Sequence, residues 1–403
     1  MKTKFLTIIC AIVLVGLQSC SCKKGAEAVT ELSKSSWELA EINGKPIDKQ
    51  DFAKIPTLNF DPAAPFDQKP HYRLNLTGPA KTVAYINELP GMGASKVNIS
   101  MLSTYSNGKN KTIAQTDAKL AKNYGVFYDD YIHKMVGTAA LSGPEVLDIL
   151  YKDAAYEQLN KEVDSVYPNL KTIENELTET FKYIKYYYPK TKVPKFIAYL
   201  SGFAYQVILA DDYMGIGLDM FLGKDSKFYP AIVQSVPLYA SRRFTPAYIT
   251  PRVAEVFARE ELFLERDEDR SLLAKMIYNG KILYFLDQVL PTKTPDSIKI
   301  GYTAKQLEWS KNYEGNIWGL LLQNELLFQT DLQKIQPFLS DGPFTNGIGN
   351  KKESAPKLGY FIGWQIVKKY MEENPKVTLQ QLMEKTDAQQ FLTDAKYKPK
   401  ESL

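Results

Sequence analysis

The chain is poor in the residues that build metal sites and covalent cross-links. Among its 403 residues are three Cys and two His. Cys10, Cys20 and Cys22 all stand near the N-terminus, so no disulfide can staple the body of the protein. His71 and His133 are far apart in sequence. A structural zinc site wants four N or S ligands and a catalytic one three, so this inventory all but excludes both. An apolar run at residues 5–17 is shorter than the roughly 20 residues that cross a bilayer as a helix, and no second stretch is long enough. Charge of one sign is lacking as well. Lys and Arg number 50 against 46 acids, a formal charge of +4 without any basic block, so there is no electrostatic case for nucleic acid. No cofactor is expected.

What is present reads as globular protein. Charged residues make up 24% and hydrophobic residues 44%, unlike a disordered chain, and the length suits two domains of about 150 residues or more. Lys2 and Lys4 precede the apolar run, and Leu17-Gln18-Ser19-Cys20 closes it. A basic start, a short apolar core and small residues before a cut describe a secretory signal peptide. The Cys directly after Ser19 makes residues 1–19 resemble the bacterial lipoprotein signal, which implies that Cys20 is acylated and becomes the new N-terminus. An ordinary signal peptide with a free Cys nearby is the alternative. Loss of residues 1–19 removes two lysines and no acid. Residues 20–34 are small, polar and charged, a flexible tether.

Residues 35–115 read as β structure. Trp37-Glu38-Leu39, Thr57-Leu58-Asn59-Phe60, the Tyr72–Leu74–Leu76 series and Val97-Asn98-Ile99-Ser100-Met101 alternate with period two, and Asn43-Gly44 is a hairpin signal. With Asn43-Gly44-Lys45-Pro46 and Leu102-Ser103-Thr104, these residues resemble the META domain, the small β domain of heat-shock-type bacterial lipoproteins. That family's Gly-Cys-Asn segment is missing. The resemblance implies no catalysis.

From Asp117 the period changes to that of a helix. Leu170, Ile173, Leu177, Phe181, Ile184 and Tyr188 form one stripe, stopped by Pro189, which disfavours helical geometry at the residue before it. Three strands are expected at residues 195–200, 205–209 and 215–222, divided by turns at Ser201-Gly202 and Asp211-Asp212. Helices are expected at 251–263, 271–287, 303–328 and 358–373.

Residues 117–403 resemble the GldB family of gliding motility lipoproteins. The carrying motifs include Tyr199-Leu200-Ser201-Gly202-Phe203, Gly215-Ile216-Gly217-Leu218-Asp219-Met220-Phe221-Leu222-Gly223, Arg242-Arg243-Phe244, Met276-Ile277-Tyr278-Asn279-Gly280-Lys281, Gly342-Pro343-Phe344 and Gly363-Trp364-Gln365-Ile366-Val367. The resemblance implies an α+β protein: a META-like β domain, then a mainly helical domain with a short sheet, similar to a degenerate zincin lobe. Zinc proteases of that layout carry H-E-x-x-H on the first helix after the sheet, where i and i+4 share a face. Here that helix reads Val253-Ala254-Glu255-Val256-Phe257-Ala258-Arg259-Glu260, with no His.

Other tempting residues have plainer readings. Asp211, Asp212 and Asp219 are expected in a solvated turn, since no D-x-D-x-D-G loop supplies the six or more oxygens of a calcium site. Gly215-x-Gly217 lies in a strand candidate, the wrong context for a phosphate loop. Ser201-Gly202 lacks the flanking Gly of a nucleophile elbow. Tyr186-Tyr187-Tyr188 and the tryptophans Trp309, Trp318 and Trp364 read as packing. Arg242 and Arg243 suit an acidic partner, lipid headgroup or structural pairing with Asp219 or Glu255. The expected function is that of a non-catalytic envelope protein, held by lipid and binding other gliding or envelope proteins through Asp219, Arg242, Arg243, Pro343 and Phe344. Reversing both arginines should then leave the melting temperature nearly unchanged. The competing class is an envelope hydrolase with a non-His site. The periplasmic face of the outer membrane is favoured, because Ser21-Cys22-Lys23-Lys24 has no acidic run.

Overall fold

The computed structural model describes residues 97–102, 112–136, 140–232, 236–348 and 353–400, with short strand segments before residue 97. The chain divides into two units, residues 1–94 and 95–403. The first unit holds β1 (Lys4–Phe5), β2 (Trp37–Glu38), β3 (Glu41–Ile42), β4 (Lys45–Pro46), β5 (Thr57–Asn59), β6 (Arg73–Thr77) and β7 (Ala84–Tyr85). These pair in the order β1-β2-β5-β6-β7, with β3 and β4 as a separate antiparallel pair. Cys20, the tether at residues 20–34, His71 and the remainder of the META-like segment before residue 97 lie outside the described residues.

The second unit is built on a sheet of β8 (Ile99–Met101), β9 (Lys195–Tyr199), β10 (Val207–Leu209) and β11 (Tyr213–Gly217), in the order β10-β11-β9-β8. β9 runs parallel to both β8 and β11, and β10 is antiparallel to β11. Parallel strands are covered on both faces, which accounts for their nearly continuous apolar sequence. Alternate residues of β9 serve two cores. Phe196 and Ala198 join one, and Ile197 and Tyr199 the other.

The smaller core lies under α1 (Ile113–Tyr124), a short helix Val126–Asp130, the π turn Tyr131–Met135 that continues it, and α2 (Gly143–Lys152). Phe127 packs edge-to-face with Tyr199 and Tyr213 at ring distances of 5.2 and 5.1 Å. Thr112 and Ser142 begin α1 and α2 as capping boxes with Gln115 and Glu145.

The larger core holds α3 (Ala154–Val166), α4 (Lys171–Tyr187), α5 (Ile249–Phe257), α6 (Leu272–Val289), α7 (Ala304–Asn312), α8 (Glu314–Gln323), α9 (Leu332–Leu339), α10 (Leu358–Glu373), α11 (Leu379–Glu384) and α12 (Ala388–Ala395). α6 starts where Ser271 Oγ accepts from the Ala274 amide at 3.2 Å and is buried around most of its circumference. It touches α10 backbone to backbone. A Cβ on Gly363 would sit 1.8 Å from the Met276 carbonyl oxygen, and one on Gly280 2.2 Å from that of Gly363.

Three expectations change. Val97-Asn98-Ile99-Ser100-Met101 was expected in the META-like domain, but Ile99–Met101 pairs with β9, Ile99 opposite Phe196. Local alternation identifies a strand without naming its partner, here far along the chain. The strand expected at 215–222 begins at Tyr213 and ends at Gly217, and Leu218–Phe221 forms a buried 3₁₀ turn. The helix expected at 303–328 is two helices, because Tyr313 leaves helical geometry and stacks on Trp309 at 4.9 Å.

Candidate functional site

α5 carries Arg252 and Glu255 on one face, and the π turn Ala258–Leu262 that extends it carries Arg259. Spacings of three and four bring all three side chains together. Glu255 accepts from Arg252 Nη1 at 3.1 Å and from Arg259 Nε at 2.9 Å, while Arg259 Nη2 reaches Asn279 Oδ1 at 2.9 Å. Arg252 Nε is buried with no hydrogen-bond partner among the described residues.

Facing them is Lys357, the residue before α10, held at a left-handed φ of +40°. Its Nζ stands 5.2 Å from the Tyr360 ring centroid and has no ion pair or hydrogen bond among the described residues. The Arg259 guanidinium lies over the same ring at 5.9 Å and over Tyr278 at 5.5 Å. A third wall is Arg243, ion-paired with Asp341. Gly301, at φ +77°, leaves the space between these walls open. A Cβ there would lie 3.0 Å from Arg243 Nη1 and 3.6 Å from Lys357 Nζ. Together these residues, with Tyr248, Leu283 and Ile298, enclose a cleft of about 280 Å³.

The cleft is cationic. Arg243, Arg252, Arg259 and Lys357 line it against Glu255 and Asp341, an excess of two positive charges; Lys299 also borders it but is neutralised by Asp287 at 2.7 Å and Asp296 at 3.0 Å. Burial alone would raise the Glu255 carboxyl, yet Arg259, Arg252 and Lys357 outweigh it and bring it to about 2. Such a group is ionised throughout the physiological range and is a poor proton acceptor. Burial, assisted by Arg243, pushes the Lys357 ammonium down to about 8.

The residues expected to contact a partner divide. Arg242 braces the fold: its guanidinium donates to the carbonyls of Tyr239 (2.9 Å) and Gly301 (3.0 Å) and to Gln306 Oε1 (2.9 Å). Gln306 Nε2 in turn donates to the Pro343 carbonyl at 3.1 Å. Arg242, Arg243 and the Pro343 loop therefore converge beside the cleft, with Pro343 exposed and Phe344 half-buried. Neither arginine pairs with Asp219 or Glu255, and reversing Arg242 cannot leave stability untouched.

Asp219 overturns the expectation of a solvated, partner-facing turn. It is fully buried, accepting from the Ser201 amide at 2.8 Å, the Phe203 amide at 2.6 Å and Ser201 Oγ at 3.0 Å. Its neighbours Gly202 and Phe203 both have left-handed φ, +65° and +64°, so the carboxylate secures a strained turn from inside. Asp211 and Asp212 do lie at the open end of the β10–β11 turn, away from Asp219. Cys20 is outside the described residues.

Arg252, Arg259, Lys357, Tyr248 and Tyr360 were not among the candidate site residues of the sequence. The Arg252-x-x-Glu255-x-x-x-Arg259 spacing was a readable signal of one charged helix face. Nothing local marked Lys357, which reaches the cleft only because the chain returns there before α10. Among the described residues no three His, Cys, Asp or Glu converge as metal ligands, and no helix is long and apolar enough to cross a membrane.

A family model described as gliding motility protein GldB matches residues 95–399. Comparisons with curated proteins and with solved structures gave no match. The matched region spans the second unit almost end to end, including the sheet, the α6–α10 crossing and every wall of the cationic cleft, and the chain thus belongs to the GldB gliding motility protein family.

Proposed function

We propose that this protein is a lipid-anchored component of the gliding machinery in the cell envelope, acting by binding other envelope components and not by catalysis. The observation that carries the reading is the family match across residues 95–399. The Leu17-Gln18-Ser19-Cys20 sequence adds the anchor: two or more acyl chains on Cys20 hold a protein durably, where one holds it marginally. A binding role is supported by the chemistry of the cleft, whose one carboxylate on α5 is pinned between two arginines. The helix that carries H-E-x-x-H in a zincin-like lobe holds no His here, which supports reading that lobe as degenerate. The META-like segment serves as a spacer or a second surface, and the periplasmic face of the outer membrane is its place.

The test is genetic. Deleting the gene from a gliding host should abolish colony spreading, and the full chain should restore it, while a chain truncated after residue 116 should not. Spreading that survives loss of residues 117–403 would make the motility assignment wrong for this protein.

A further inference from the structure

The cleft beside α5 has donors left without a hydrogen-bond partner among the described residues. We propose that it binds the dianionic phosphate group of a small ligand. This gives the binding role above a ligand class, and it rests on that role only for its meaning in the cell.

Four observations converge. The cleft-lining charges leave two cations uncompensated, matching a phosphate monoester dianion better than a singly charged carboxylate. Arg252 Nε is buried without a partner, and Lys357 Nζ makes no ion pair among the described residues. Buried donors of this kind are normally satisfied, so an unsatisfied one on a residue that lines a cavity points to a missing acceptor. Guanidinium forks and an ammonium are the usual cradle of a phosphate, the first by paired N–H groups and the second as a point charge. Gly301 keeps the centre empty, since any side chain there would enter the space approached by Arg243 and Lys357.

Size and lining restrict the rest of the ligand. A cleft of about 280 Å³ is near the lower limit of small-molecule pockets, enough for a phosphate and a few attached carbons. Tyr248, Tyr360, Leu283 and Ile298 supply a mixed aromatic and apolar wall for that remainder. An anion in the cleft would also offset what burial and Arg243 do to the Lys357 ammonium.

Calorimetric titration of the full-length chain in neutral detergent with inorganic phosphate tests the site. Saturable binding at one phosphate per chain is expected, weakened about tenfold or more in Lys357→Met and in Arg252→Gln, since each loses a charge-assisted bond. Lys357→Met should melt no lower than the parent, which separates lost binding from lost fold. Dihexanoyl phosphatidic acid, titrated in parallel, identifies the source: competition with phosphate assigns a lipid headgroup, and exclusion assigns a soluble phosphate ester. Absence of saturable phosphate binding, equal binding of acetate, or unchanged binding in both folded variants would overturn the proposal. A deletion strain that fails to glide while the protein binds no phosphate would sink this inference alone, and the reverse result would sink the motility role alone.

Discussion

Asp219 shows how one side chain can look like surface in the sequence and be structural in the fold. Its carboxylate has no salt-bridge partner among the described residues and is stabilised by three donors from the Ser201-Gly202-Phe203 turn. Burial pushes its carboxyl above the usual range while those bonds pull the other way. Asp219→Ala strands two amides in the interior, and each such orphan costs about 1–3 kcal/mol. Urea denaturation should therefore show a loss of roughly 3 kcal/mol or more; a variant as stable as the parent would mean the turn holds itself. Arg242→Glu should likewise lower the melting temperature, because it breaks a local bond to the Tyr239 carbonyl and two that tie residue 242 to the 301 and 306 segments. Lys281 gives a pH signature. Its ammonium is buried against the Lys385 carbonyl, and burial, with Lys385 and Arg266 nearby, brings it down to about 8. The unfolded chain holds that proton up to about 10.4, so between about pH 8 and 10 the unfolded state binds more protons and stability rises with pH. Lys281→Met should flatten this rise when stability curves of parent and variant are compared from pH 7 to 10.

Elements declared themselves in proportion to how local their signals were. The end of α4 at Tyr187 follows from Pro189, and the start of α6 from its Ser271 cap. β9 and β10 were legible as short apolar runs between turns. What could not be read was how α6 and α10 meet. Met276-Ile277-Tyr278-Asn279-Gly280 and Gly359-Tyr360-Phe361-Ile362-Gly363 are ordinary helical sequences until they are crossed, whereupon Gly280 and Gly363 are where the other backbone passes. Gly363→Ala would drive a methyl into the Met276 carbonyl, a backbone atom that cannot swing aside. Overpacking of a core usually costs about 1–3 kcal/mol, and this contact should reach the upper end or exceed it. Thermal unfolding of Gly363→Ala is the measurement, and an unchanged midpoint would show that the helices separate cheaply.

For the molecule as a whole, attachment and fold are separate matters. Cys20→Ser should prevent acylation, block processing and release or misplace the protein without altering the second unit, whose cores are drawn from residues 97–397. Metabolic labelling with a fatty acid, followed by fractionation, reads both effects; equal labelling of parent and variant would place the lipid elsewhere. The cleft belongs to this scale too. Its walls come from residues 243, 252–259, 301, 341 and 357–360, segments that no local pattern groups together. Arg242-Arg243 and Gly342-Pro343-Phe344 stood out as motifs, but their meeting across Gln306 depends on the path between them.

The sequence by itself determined the pattern read as a lipoprotein signal with its candidate lipid site at Cys20, the scarcity of His and Cys, the positions of most helices and of β9 and β10, and the family. Those properties rest on inventory, period and cap residues, all of which act over a few positions. Tertiary structure alone decided that β8 joins the β9 sheet, that Asp219 is interior, that α6 and α10 touch at glycine, and that four cations face two carboxylates around one cleft. Each of those outcomes depends on which distant segments exclude water from one another, and burial, not residue type, is what turned Asp219 into a brace and brought the Lys357 ammonium below its ordinary range.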